Sequence, residues 1–282
     1  MTAPADDPRI TPQVRAACEA FVGNCREIED TLAPEPAEKL AALLGNKLSG
    51  DRLPPTYHWA YFNKGVPAAD VGADMHEKTG IFLPAAPFHR RMWAAGDVSI
   101  LQPLRIGMPA RRRSTVTEVT FKSGKSGQMC FVTVSHEIEQ GGAPCIFERQ
   151  TIVYRDRGAP ERTSRQADDP VPDGYFIHPD SELWFYSAVT HNGHRIHWDR
   201  EFCRDVEGYP DLVVHGPLMA TKLCEALRGD TPAPLRFVFR AQAPVFTTTP
   251  VRLVVGMSGK QGHAEFQRFD GVASMTATLS RL

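Results

Sequence analysis

The stretch Gly216–Arg228, GPLMATKLCEALR, carries the strongest structural signal in the chain. Proline near its start suits the first turn of a helix, where its missing N–H leaves no hydrogen bond unmade, and Gly229 just past its end is typical of a helix C-terminus. Apolar side chains cover most of this helix: Leu218, Met219, Leu223, Ala226 and Leu227. A helix that is apolar on most of its surface is buried, so we expect it at the centre of a core.

Four strand-like runs follow this helix, each rich in β-branched and aromatic residues and bounded by Gly or Pro. They are PLRFVFRAQAPV (234–245), PVRLVVGMS (250–258), GHAEFQRFD (262–270) and GVASMTATLSRL (271–282). A buried helix ahead of a long antiparallel sheet indicates a sheet wrapped around that helix, which is the hot-dog arrangement.

The N-terminal half repeats this order of elements. Its strand-like runs are VSILQPLRIG (98–107), RRRSTVTEVTFKSG (111–124), QMCFVTVSHEIEQ (128–140) and PCIFERQTIVYR (144–155). The step Gln102-Pro103 recurs as Gln242-Ala243-Pro244, and the two prolines lie 141 residues apart in a chain of 282. We therefore predict a tandem duplication of one α+β unit, that is, an α+β double hot-dog fold.

The predicted boundaries follow from composition. Residues 1–155 form the first unit, with helices from Thr11 and from about Pro36 to Leu44 and an irregular segment at 50–96. Residues 156–180, polar and rich in Pro, Asp and Arg, are the predicted linker. Residues 181–282 form the second unit, which we expect to be catalytic, while the first unit is expected to be non-catalytic and to supply the acyl pocket.

Composition excludes several classes of function. Lys and Arg number 32 against 33 Asp and Glu, so no net charge attracts nucleic acid or anionic lipid. The chain has no run near the ~18 apolar residues of a membrane span and no signal-like start, and we expect a cytoplasmic protein. Six cysteines without a C-x-x-C pair predict reduced thiols and no metal site.

Residues 184–220, WFYSAVTHNGHRIHWDREFCRDVEGYPDLVVHGPLMA, hold four of the ten histidines, at positions 191, 194, 197 and 215. Chance clustering in a loop is the simpler reading. However, the segment leads into the N-terminus of the buried helix, where unpaired N–H groups and the helix dipole favour negative charge.

Three motifs in this segment resemble the MaoC-like hydratase/dehydratase family of double hot-dog proteins. They are YSAVTHNGHRIHWD (186–199), EGYP (207–210) and VVHGPL (213–218). The resemblance is greatest to the subgroup of 3-methylfumaryl-CoA hydratases and hydroxyacyl-thioester dehydratases, and extends to FLPAAPFHRRMWAAGDV (82–98). It implies reversible addition of water to a 2-enoyl-CoA thioester without a cofactor, and a dicarboxylic acyl chain.

The chemistry of hydration assigns roles to these residues. A base must deprotonate water, an acid must protonate C2, and donors must hold the enolate oxygen. His197 is the predicted base and acid, and the N–H of Gly216 the predicted oxyanion donor. The family places aspartate where this chain has Asn192, which cannot take a proton and is expected to orient the water. His194 is a reserve base or a packing residue.

Further residues are predicted to bind substrate. Arg90 and Arg91 stand in a loop where one should point inward, towards a substrate carboxylate, while the other faces solvent. Arg195, with Arg200 or Arg111–Arg113 as alternatives, could meet the phosphates of coenzyme A. Tyr186 opens the first motif and is placed in the substrate site by resemblance. His191, His215 and Asp199 are expected to be structural.

Three alternatives stay open. The protein could be a hydroxyacyl-thioester dehydratase of broader acyl range, or a hot-dog thioesterase, because the fold hosts both reactions. It could also be a non-catalytic acyl-CoA-binding subunit. A homodimer is possible, although a double hot dog already resembles a dimer.

Overall fold

The computed structural model describes residues 7–124, 127–156, 170–229, 231, 233–258 and 261–282. Its helices are α1 (Pro12–Glu19), α2 (Pro34–Leu43), α3 (Asp180–Thr190) and α4 (Gly216–Arg228). Its strands are β1 (Cys25–Thr31), β2 (Arg90–Ile100), β3 (Pro109–Gly124), β4 (Gly127–Gln140), β5 (Ala143–Arg155), β6 (Leu235–Ala241), β7 (Val251–Ser258), β8 (Gln261–Arg268) and β9 (Ala273–Arg281). Short turns connect them: 3₁₀ turns at Tyr57–Ala60, Ala68–Asp70 and Arg195–His197 and a π-helical turn at Phe202–Glu207.

The strands form one antiparallel sheet of nine strands in the order β1-β3-β4-β5-β2-β6-β9-β8-β7. Apart from β1 at one edge, the order on one side of the β2–β6 contact mirrors the order on the other. At the ends of the two central strands, the N–H of Leu101 donates to Cys145 and the N–H of Gln242 to Ser274, both at 2.8 Å. This equivalence confirms the predicted duplication and the α+β double hot-dog fold.

Helix α4 lies against β8 and β9 in the C-terminal half. Leu218, Leu223 and Cys224 have no exposed surface, as the apolar pattern predicts. In the N-terminal half the shorter α2 begins at Pro34, two residues before the predicted start, and packs on α3 and on the 3₁₀ turn Tyr57–Ala60. The two halves therefore share an order of strands but differ in the length and the contacts of their helices.

Two elements differ from the sequence prediction. Strand β2 begins at Arg90, eight residues before the predicted run, because β5 pairs with this segment beyond a bulge between Trp93 and Ala95. Helix α3 covers residues that were predicted as loop. Trp184 and Phe185 are exposed in this helix. Apolar residues therefore stand on the solvent face, where an amphipathic helix carries polar ones, and the helical pattern is lost.

A buried polar cluster lies inside the N-terminal half. The carboxylate of Glu148 accepts hydrogen bonds from the indole N–H of Trp59 at 2.9 Å and the amide of Gln150 at 2.8 Å, and lies 2.9 Å from Nε2 of His58. Burial opposes ionisation of Glu148, but the hydrogen bond and charge of His58 outweigh it and lower the pKa of the carboxyl to about 2. The cluster is a fixed anion inside the core.

The remaining structural predictions concern thiols, membrane spans and the linker. All six cysteines are free, and Cys25 alone among them is exposed. No helix in the described ranges is long and apolar enough to cross a membrane. Residues 157–169 of the predicted linker lie outside the described residues, as do residues 125 and 126 between β3 and β4.

Candidate active site

His197 is held as a neutral base. Its Nδ1 lies 2.7 Å from the carbonyl oxygen of Val213. Because a carbonyl only accepts, Nδ1 carries the hydrogen and Nε2 keeps its lone pair. Burial lowers the pKa of the imidazole to about 3, so the ring is neutral at physiological pH. This is the tautomer that can take a proton from water.

The ring of His215 fixes the plane of His197. The two rings stack at 3.6 Å with an interplanar angle of 20°. Nε2 of His215 lies 2.9 Å from the hydroxyl of Ser187, and burial holds the pKa of His215 well below its usual value. Beneath it lies Tyr186, whose ring is 4.9 Å from His215 and 1% exposed. The expected structural role of His215 fits this position, whereas Tyr186 packs in the core and does not line the cavity described below.

Gly216 begins α4 beside this pair. Within the described ranges no protein acceptor lies within hydrogen-bond distance of its N–H, as expected for the first residue of a helix. A β-carbon at this position would lie 3.2 Å from Cε3 of Trp93. Glycine therefore lets the Trp93 ring come close to the helix N-terminus, and the bulge of β2 directs that ring towards it.

Asn192 lies beside His76 and His194. Its Oδ1 accepts the backbone N–H of His194 at 3.1 Å and lies 3.2 Å from Nε2 of His76. The backbone donor fixes the amide orientation, so His76 donates from Nε2. No hydrogen bond in the described part of the chain joins Asn192 to His197. The amide oxygen that was expected to orient water is turned towards His76.

The loop 70–78 supplies two residues that sequence reasoning missed. The carbonyl of Asp74 accepts the N–H of Arg195 at 3.1 Å, which joins this loop to the histidine segment. The ring of His76 lies 4.4 Å from the ring of His194, which in turn lies 5.5 Å from His197. The Asp-Met-His spacing in an otherwise irregular segment was the available signal, but one loop offers too little pattern to locate it in space.

A cavity of about 440 Å³ opens next to these residues. Its wall includes Asp74, His194, Arg90 and Arg91 together with apolar and aromatic residues of both halves: Ala86, Phe88, Met92, Tyr154, Ile196, Phe202 and Tyr209. The volume suits an acyl group of moderate size. Of the residues with predicted catalytic roles, His194 lines the cavity, whereas His197 and Gly216 are not among its lining residues.

Arg90 and Arg91 lie on β2 rather than in a loop, and neither faces solvent as predicted for one of them. The Arg90 side chain is 9% exposed, donates from Nε to Glu207 at 3.1 Å and lies over the ring of Tyr209 at 4.0 Å. Glu207 ends the π-helical turn, and its charge compensates that of Arg90. The pair forms part of the cavity wall.

Arg91 is the less engaged of the two cations. Its side chain is 15% exposed and lies 3.6 Å from the carboxylate of Asp74. It also approaches the carbonyl of Glu77, at 3.4 to 3.5 Å, and the hydroxyl of Tyr154. The contacts with Asp74 and Glu77 are long, so Arg91 can accept a closer carboxylate partner.

Two of the other candidate cations, Arg195 and Arg200, are paired with carboxylates, whereas Arg112 donates to the carbonyl of Phe62. Arg195 donates to Asp199 at 2.6 Å and stacks over Phe202, and Arg200 donates to Asp211 at 2.6 Å. Asp199 also accepts the N–H of Phe202 at 2.9 Å, so its role in starting the π-helical turn agrees with its expected structural role.

The described residues with metal-ligand chemistry at close range are Asp74, His76 and His194, whose donor atoms lie within 4.8 Å of one another. Asn192 already engages Nε2 of His76, and the guanidinium of Arg91 lies 3.6 Å from the Asp74 carboxylate. The guanidinium of Arg91 beside the Asp74 carboxylate opposes a divalent cation at this position.

Comparison with known proteins decides the family. The family model for hydroxyacyl-thioester dehydratase type 2 matches residues 56–247, more than half of the chain. The protein belongs to this dehydratase family. It is 41% identical to mesaconyl-C(4)-CoA hydratase of Chloroflexus aurantiacus, with 92% of this chain and 96% of that protein covered.

Other members of this dehydratase family are more distant. The mitochondrial hydroxyacyl-thioester dehydratase type 2 of Schizosaccharomyces pombe is 27% identical, over 82% of this chain and 90% of that one. Among solved structures, HtdX of Mycobacterium tuberculosis superposes with a TM-score of 0.69 at 17% identity, covering 92% of this chain and 100% of that one. The similarity to HtdX shows the fold alone. The family relation makes this protein an enzyme of the hydratase/dehydratase type that acts on an acyl thioester.

Proposed function

We propose that this enzyme reversibly adds water to the double bond of a dicarboxylic 2-enoyl-CoA, with the C4 thioester of mesaconate (3-methylfumaryl-CoA) as substrate and citramalyl-CoA as product. The reaction type is supported by the neutral, buried His197 with its Nε2 lone pair. His197 stacks on His215, the residue that precedes the first residue of α4. The relation to mesaconyl-C(4)-CoA hydratase supports the substrate.

In the proposed reaction, the oxygen and both hydrogens of water are added to the substrate. His197 Nε2 takes a proton from water while the oxygen bonds to C3, and the electrons of the double bond move onto the thioester oxygen. The N–H of Gly216, at the positive end of the α4 dipole, holds the resulting enolate oxygen. The imidazolium of His197 then returns the proton to C2, which regenerates the base.

The free carboxylate of the substrate needs a cation in the cavity, because a charge that loses water to the cavity wall is costly when it is unpaired. Arg90 is compensated by Glu207, whereas the Asp74 carboxylate lies 3.6 Å from Arg91, whose further contacts are with neutral groups, the Glu77 carbonyl and the Tyr154 hydroxyl. We therefore assign the substrate carboxylate to Arg91.

Replacing Arg91 with alanine is expected to lower kcat/KM for 3-methylfumaryl-CoA while sparing crotonyl-CoA, which lacks the second carboxylate. A charge-assisted hydrogen bond contributes about 1.5–3 kcal/mol, which corresponds to roughly 10- to 150-fold. The measurement is initial turnover of both thioesters by the wild type and the variant. Arg204→Ala, which removes an exposed guanidinium from the π-helical turn, is the matched control and should change neither value.

Equal losses on both substrates would make Arg91 a structural residue and would remove it from the proposal. A wild-type preference for crotonyl-CoA would contradict the dicarboxylic substrate and leave a dehydratase of broader acyl range.

A further inference from the structure

Four histidine rings form a continuous row through the site. His76 contacts His194 at 4.4 Å, His194 contacts His197 at 5.5 Å, and His197 stacks on His215 at 3.6 Å between ring centroids. His197 and His215 are 7% and 0% exposed. When His197 takes up the proton of water, this histidine row becomes cationic in a place with little solvent to stabilise the charge.

A buried positive charge needs a nearby anion. Among the described residues, the carboxylate that reaches a ring nitrogen of the row is Asp74, whose Oδ2 lies 3.6 Å from Nδ1 of His76. Neighbouring carboxylates are committed elsewhere: Asp199 to Arg195, Glu207 to Arg90, and Glu182 to His178 and Lys222. Asp74 also lies 3.6 Å from the guanidinium of Arg91, and among these carboxylates it is the one placed to balance the charge of the row.

The loop 70–78 holds Asp74 in this position. Its Oδ1 accepts the N–H of His76 at 3.1 Å, and its carbonyl accepts the N–H of Arg195 at 3.1 Å. Burial opposes ionisation, but the hydrogen bonds and charge of His76, together with the charge of Arg91, lower the pKa of the Asp74 carboxyl. The charged or titratable groups that face the row are Asp74 from this loop, Arg91 from β2 and His178, which precedes α3.

We propose that Asp74 is the counter-ion of the histidine row, that His76 lies between Asp74 and His194, and that both Asp74 and His76 act as positioning residues. The inference rests on the proposed function, because it concerns the positive charge that hydration creates. It assigns part of the chemistry to the N-terminal half, which sequence reasoning predicted to be non-catalytic. It also accounts for the amide at position 192, since a second carboxylate there would place two anions around His76.

Asp74→Asn is the direct test, because asparagine keeps the oxygen that accepts the His76 N–H and removes only the charge. We expect kcat to fall at least about 10-fold with KM changed less than about 3-fold. Asp70→Asn removes a carboxylate from the same loop without touching the row and should change neither constant.

A second measurement does not depend on turnover. In the full-length protein labelled with ¹⁵N-histidine, ring nitrogen shifts give the fraction of protonated imidazole in the row as the pH is lowered from 8 to about 3, a range that reaches the lowered pKa of His197. Asp74→Asn should lower this fraction across the range, and Asp70→Asn should leave it unchanged. If the wild type hydrates none of the enoyl-CoA substrates, the proposed function fails while this measurement still decides the counter-ion.

An unchanged protonated fraction in Asp74→Asn, or a wild-type row that is fully neutral throughout the range, would overturn the inference. A double-mutant cycle with His76→Gln, which keeps an N–H donor for Asn192, gives a further criterion. If Asp74 acts through His76, the two losses in kcat should be far from multiplicative, and independent losses would overturn that part of the inference.

Discussion

Replacing His197 with alanine is expected to lower kcat by at least about 10²-fold, the effect typical of a positioned acid–base group. The variant removes the Nε2 lone pair, which the hydrogen bond from Nδ1 to the Val213 carbonyl holds in position. The stacked His215 cannot replace this base, because its own Nε2 lies against the hydroxyl of Ser187. The measurement is the loss of enoyl-thioester absorbance under saturating substrate.

The control for this prediction is His263→Ala, which removes an exposed histidine from β8 and should leave kcat unchanged. A thermal unfolding curve should show that the His197 variant is folded. A variant with near wild-type turnover would show that His197 is not the base, and His194, which lines the cavity, would be the next candidate.

Replacing Glu148 with alanine is expected to produce the largest loss of stability. The substitution leaves the indole N–H of Trp59 and the side chain of His58 without their buried acceptor. Breaking a buried charged pair by removing one partner costs about 3–5 kcal/mol. For a chain of this length each kcal/mol lowers Tm by about 2–4 °C, so the loss in Tm should be roughly 6–20 °C.

The matched control is Glu137→Ala, an exposed carboxylate on β4, which should shift Tm little. The prediction also has a pH dependence. The carboxyl of Glu148 has its pKa lowered to about 2 in the folded state, from an ordinary 4.5. Its contribution is therefore complete above about pH 4.5 and disappears as the pH falls towards 2, so wild type and variant should converge in acid. A constant difference in stability across that range would contradict the account.

The Glu148 cluster also supports the active site. Trp59, which donates to Glu148, contacts Trp93 edge-on at 5.2 Å, and Trp93 covers the N-terminus of α4. Through these packed aromatic rings, the N-terminal half thus forms one wall of the site.

The fold was predictable because its signals are local. The apolar faces of Gly216–Arg228, the glycine and proline boundaries of the strands and the recurring Gln-Pro steps each lie within short stretches of sequence. Helix α3 escaped prediction because two exposed aromatic residues obscure its period, and the start of β2 because pairing with β5 holds a segment of weak strand pattern.

The candidate site was predictable only in part. His197 and Gly216 belong to one continuous segment, so their neighbourhood follows from the sequence. The contacts of Asn192 with His76, and of Arg90 with Glu207, join residues separated by 116 and 117 positions. Such pairings leave no periodic pattern in the sequence, because they depend on how distant segments of the chain pack together. A cytoplasmic location and a homodimeric state stay predictions.

The most direct test of the central claim is the fate of oxygen from solvent when the enzyme reacts with 3-methylfumaryl-CoA in H₂¹⁸O. Mass spectrometry of the quenched reaction should show one ¹⁸O in a hydroxyl group on the acyl chain, with coenzyme A still attached and no free thiol. Incorporation of ¹⁸O into a free carboxylate together with release of coenzyme A would instead show a thioesterase and contradict the proposed hydration.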